Sequence, residues 1–111
     1  MRRAGFVAIW AVLAVLPTRS GLAAPPFNCS IATEAAEIAV CDSEALGVLD
    51  REMNRLYQVK RAGLKTEGKA EAADALRLEQ RAFLKTRDAC SYDVACLTNL
   101  FKQRNQLLGK P

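Results

Sequence analysis

The stretch Cys41-Asp42-Ser43-Glu44-Ala45-Leu46-Gly47-Val48-Leu49-Asp50-Arg51-Glu52-Met53-Asn54-Arg55-Leu56-Tyr57 carries the pattern that decides the fold. Leu46, Leu49, Met53 and Leu56 recur at spacings of three, four and three, the period of a helix with one buried stripe. Ser43 stands where a side-chain oxygen can accept from first-turn amides, and Glu44 sits at the positive end of the helix dipole. The pattern predicts a helix of about 19 residues ending at Arg61-Ala62-Gly63, with Gly63 to Gly68 as the connecting loop.

Upstream, Pro25 and Pro26 make residues 24–30 an extended lead-in. A short helix follows, with Thr33 as its cap, Glu34 and Glu37 in its first turns, and Ala36, Ile38 and Val40 supplying apolar surface up to Cys41. Downstream, a helix of about 20 residues starts between Thr66 and Lys69 and carries Ala73, Leu76, Gln80, Phe83, Leu84 and Arg87. Asp88 to Tyr92 breaks it, Asp93 caps the next helix, and Leu97, Leu100, Phe101, Arg104, Leu107 and Leu108 share one face before Gly109 and Pro111. No strand-like alternation occurs. The expected fold is all-α: a small antiparallel bundle of one short and three longer helices, each long rod about 30 Å.

The first residues read as an export signal, with basic Arg2 and Arg3, an apolar run from Phe6 to Leu16, and the small-residue stretch Gly21-Leu22-Ala23-Ala24. An apolar run of this length is too short to span a bilayer, which takes about 20 residues. Cleavage after Ala23 keeps Pro25 from directly following the cut and leaves residues 24–111 as one helical domain. No cysteine lies at the cut, so no stable membrane anchor is expected after cleavage. The signal takes Arg2, Arg3 and Arg19 with it, so the 16 basic and 12 acidic residues become 13 and 12. A net charge of +1 gives no footprint for nucleic acid or an anionic membrane surface.

An exported chain with four cysteines implies disulfides, here a staple for a domain whose core is modest. Antiparallel helices bring Cys29, Cys41, Cys90 and Cys96 to one end of the bundle, where proximity leaves three connectivities open. Local pairing, Cys29 with Cys41 and Cys90 with Cys96, is the expected one. The second loop is short enough to bridge a turn to the first turn of a helix. The first requires Cys29 to fold back, because a continuous helix would hold the pair about 18 Å apart.

Several polar side chains lie on or beside the apolar stripes and need partners. Counting from the cysteine end places Asp50 and Arg104 within about one helical turn, with Arg81 in reach, so a structural ion pair from Asp50 to Arg104 or Arg81 is expected. Tyr92 and Asp93, in the turn held by Cys90 and Cys96, form the candidate partner contact. The chain has no histidine, and no serine or cysteine has an activating neighbour, so no catalytic residue is assigned. The cysteine spacings match no common zinc pattern, and neither a metal nor a cofactor is expected.

Three segments resemble the LprI-like lysozyme-inhibitor family. They are Phe27-Asn28-Cys29-Ser30 with Glu37-Ile38-Ala39-Val40-Cys41, running into Leu46, Leu49-Asp50-Arg51 and Leu56-Tyr57; Glu79-Gln80-Arg81-Ala82-Phe83-Leu84 with Arg87-Asp88-Ala89-Cys90; and Cys96-Leu97 with Phe101 and Arg104. The resemblance implies an all-helical, non-enzymatic, protein-binding domain of the bacterial cell envelope, periplasmic or secreted, with lysozyme as the implied partner. A fold can host unrelated functions, so the alternative is a structural or accessory periplasmic module that inhibits nothing.

Overall fold

The computed structural model describes Gly5 and residues 27–111. The expected signal, residues 1–23, and its cut lie outside the described residues apart from Gly5. After a 3-10 turn at Cys29–Ile31 come α1 (Ala35–Asp42), α2 (Glu44–Thr66), α3 (Ala70–Ala89) and α4 (Val94–Leu108), with no strand among the described residues. The expected all-α bundle of one short and three longer helices is what forms. No described helix is long and apolar enough to cross a membrane.

Local chemistry sets most boundaries. Asn28 caps the 3-10 turn, its side chain accepting from the Ser30 amide at 3.0 Å; the sequence reading had only an extended lead-in there. Thr33 does not cap α1: Glu34 takes that position and makes no side-chain cap bond. Ser43 does cap α2, accepting from the Leu46 amide at 3.2 Å, and Asp93 caps α4 through the Cys96 amide at 3.0 Å.

Helix α2 passes through the expected stop at Gly63 to Thr66, whose hydroxyl donates back to the Ala62 carbonyl at 3.0 Å. Leu64 explains the extension, since it packs against the core cluster and offsets the conformational cost of a helical glycine. The turn to α3 is therefore tight, and Gly68 supplies its left-handed residue at φ 74°. Helix α3 likewise runs one residue beyond Asp88, to Ala89.

Leu46, Met53 and Tyr57 from α2 are buried with Leu97, Phe101 and Leu108 from α4, while Ala36, Ala39 and Val40 bring α1 onto the same core. Leu76 of α3 joins this cluster, and Phe83 meets Phe101 with ring centroids 5.8 Å apart at a 58° tilt. Helix α2 touches all three other helices, and α3 meets α4 more sparsely than either meets α2. Both disulfides form in the local pairing, Cys29–Cys41 and Cys90–Cys96, each with 5.8 Å between Cα atoms.

Two substitutions read out this packing in urea unfolding. Phe101→Ala, at a side chain 0% exposed, is expected to cost about 3–5 kcal/mol. Gly63→Ala is expected to stabilise by up to about 1 kcal/mol, because an added Cβ meets nothing within 4 Å and the position is helical.

Candidate functional site

Two regions carry the polar chemistry of the bundle. The first is the disulfide-bearing end. Cys90 and Cys96 close a turn in which Ser91 adopts φ 51°, a left-handed conformation uncommon for a residue with a side chain. That turn holds Tyr92 51% exposed, and its hydroxyl donates to Asp42 Oδ2 at 2.9 Å. Asp42 ends α1 one residue beyond Cys41, so one hydrogen bond links the two disulfide-bearing segments. It also raises the pKa of the Tyr92 phenol, because a neighbouring carboxylate accepting the proton favours the neutral form. Asp93 is exposed, but its carboxylate is engaged in capping α4.

The second region is a cleft of about 360 Å³ between α2 and α3, with Phe27 and Glu37 at the α1 side. Asp50 lines it together with Met53, Tyr57, Gln80, Arg81 and Arg87. The expected ion pair is absent. Arg104 instead directs Nε and Nη2 onto Gln80 Oε1 at 3.1 and 3.0 Å, lies over the Phe83 ring, and comes only within 4.0 Å of Glu79. Gln80 in turn donates to Met53 Sδ at 3.5 Å, which places Arg104 at the level of Met53. The axial count from the cysteine end was thus close to right, but Arg104 faces α3 and finds a neutral acceptor before it can reach Asp50. Arg81 is exposed and forms no ion pair among the described residues.

Asp50 is 0% exposed, and neither carboxylate oxygen accepts a hydrogen bond among the described residues. Burial pushes its pKa from an ordinary 3.8 to about 6, against the opposing fields of Arg87 and Arg51 and with a smaller upward push from Glu37. Arg87 is the nearby cation but is committed elsewhere: it donates to Asp88 Oδ1 from Nε at 3.0 Å and from Nη2 at 2.8 Å, and to Glu37 Oε1 at 3.3 Å. Phe27 stacks over its guanidinium, 5.7 Å from centroid to Cζ. This cluster fastens α3 to α1 and to the lead-in before Cys29.

The arrangement, two disulfide-closed segments joined at one end and a buried polar seam beside a cleft, spans the domain from Phe27 to Leu108. Comparison with family models matches residues 28–108 to the lysozyme inhibitor LprI. The chain belongs to the LprI family. No curated protein and no solved structure matches it. Within this LprI-family domain, sequence reasoning missed Gln80 as the acceptor for Arg104, Glu37 and Asp88 as the partners of Arg87, and Asp42 as the acceptor for Tyr92. Gln80 was legible as a polar residue on an apolar stripe. Asp42 offered no such signal, because its bond to Tyr92 spans fifty residues and depends on how the two disulfide loops face each other.

A buried carboxylate whose folded-state pKa exceeds its unfolded value favours folding only while it is protonated. Its contribution is fully present below about pH 4 and is lost as pH rises to about 6. Asp50→Asn in the LprI-family domain is therefore expected to match the wild type near pH 4 and to exceed its stability by about 3 kcal/mol above pH 7. Urea unfolding of both proteins across that range checks the sign and the midpoint.

Proposed function

We propose that this domain is a non-enzymatic, extracytoplasmic binding protein that inhibits lysozyme by covering its active-site cleft, using the disulfide-stapled end as its contact surface. Family membership across residues 28–108 supports the inhibitor reading. Two disulfides suit an oxidising compartment, in keeping with an exported chain cut after Ala23. The observation that carries the choice of surface is the apolar character of that end. Ile31 is 72% exposed, Tyr92 51%, Val94 46% and Ile38 38%, and all four lie on the segments that carry or adjoin the disulfides.

Such side chains bind well when they are already held in place, since little conformational entropy is lost on association. The Tyr92 ring is fixed by the Cys90–Cys96 turn and by its bond to Asp42, and tyrosine is among the residues enriched at the energetic centres of interfaces. Electrostatic steering contributes little, because the chain cut after Ala23 has 13 basic and 12 acidic residues. Affinity then rests on shape and on a few apolar anchors.

A peptidoglycan-lysis assay with the oxidised protein tests the proposal. Lysis should fall in proportion to added protein, and Tyr92→Ala should weaken inhibition by tenfold or more, about 2 kcal/mol for an interface anchor. Tyr92→Phe, which keeps the ring and loses only the bond to Asp42, should retain most of the inhibition. Undiminished lysis at large molar excess would reject the inhibitor role and favour an accessory envelope module, whose partner co-purification would reveal.

A further inference from the structure

The cleft between α2 and α3 is chemically two-sided. Asp50 lies just behind its floor, 0% exposed and with no hydrogen bond to either oxygen among the described residues, so that a guest reaches the carboxylate once a lining side chain such as Met53 swings aside. Along its α3 side stand Arg77 and Arg81, one helical turn apart, and neither forms an ion pair with any described residue. Arg87, the third arginine of the cleft, is already neutralised by Asp88 and Glu37. A buried carboxylate without donors is costly, and two adjacent guanidinium groups without acceptors repel each other.

A cationic guest would meet the arginines, and an anionic guest would meet Asp50. Only a guest carrying both charges satisfies the two sides together. The volume, about 360 Å³, falls at the small end of the range of about 300–1,000 Å³ usual for small-molecule sites, which suits a small guest. Tyr57 and Phe27 offer aromatic walls, and Met53, with its adaptable thioether chain, lines the same floor and can yield to an entering group. We propose that this cleft binds a small zwitterion, a free amino acid or dipeptide, whose ammonium group donates to Asp50 while its carboxylate is held by Arg77 and Arg81. The contacts proposed, Asp50, Arg77 and Arg81, include neither Tyr92 nor Asp42, and the proposal does not depend on lysozyme inhibition.

Alanyl-alanine is a suitable probe, titrated into the ¹⁵N-labelled, oxidised protein and followed by amide chemical shifts and calorimetry. Saturable shifts around Asp50, Met53, Arg77 and Arg81 are expected. N-acetyl-alanyl-alanine and alanyl-alanine amide, each lacking one charge, should bind about ten- to a hundredfold more weakly, the loss of one charge-assisted hydrogen-bonded contact. Asp50→Asn should weaken the unmodified dipeptide to a similar degree. So should the double variant Arg77→Ala and Arg81→Ala, which alters only side chains that make no ion pair among the described residues and tests the carboxylate-binding side independently of Asp50. Absence of saturable shifts overturns the proposal, as does binding left unchanged by either cap or by either set of substitutions.

Discussion

Burial of one face of α2 between α1, α3 and α4 is the constraint on which the remaining structure rests. Leu46, Met53 and Tyr57 can leave water only if α4 brings Leu97, Phe101 and Leu108 to meet them, and this fixes the order in which the other helices pack. Helix α3 has the poorer apolar face, with Ala73 and Leu76 buried but Gln80 and Arg87 on the same side. It is held as much by polar contacts as by apolar ones: Gln80 to Arg104 toward α4, and Arg87 to Glu37 toward α1. Buried polar pairs of this kind add directional preference to a contact that apolar packing alone would leave free to slide.

Asp50 departs from that pattern. The two buried arginines, Arg87 and Arg104, have found acceptors, whereas neither oxygen of this carboxylate has a donor among the described residues and only the fields of Arg87 and Arg51 oppose the cost of its burial. It sits on the same stripe as Leu46 and Met53, so its burial is imposed by the packing of α2. The packing that stabilises the bundle thus also buries an unpartnered carboxylate beside the cleft between α2 and α3.

The helices were legible in the sequence because their signals are local. Ser43 and Asp93 act on amides three residues away, and the apolar spacing in α2 needs no knowledge of its partners. The end of α2 was misread for a related reason: Gly63 is a local stop signal, but the packing of Leu64 is a tertiary fact. The local disulfide pairing was the expected one for Cys90–Cys96 because six residues close within a turn, whereas Cys29–Cys41 needed the fold-back that the 3-10 turn before α1 provides. The partner of Asp50 was not, because a residue count along antiparallel rods gives height and leaves rotation about each axis undetermined. Arg104 has nearly the right height and faces Gln80. Tyr92 was readable as an exposed aromatic in a closed turn, but its anchorage on Asp42 depends on how two separate loops meet.

The two disulfides join cysteines that are consecutive along the chain, the first pair separated by 12 residues and the second by 6. Neither bridge encloses the other. A chain that meets an oxidant with its N-terminus leading can complete Cys29–Cys41 before Cys90 has emerged, so forming each bond on first encounter yields the native pairing. The native connectivity is thus also the one with the shortest loops, so each bridge constrains only its own stretch of chain and neither needs the other to be in place before it can close.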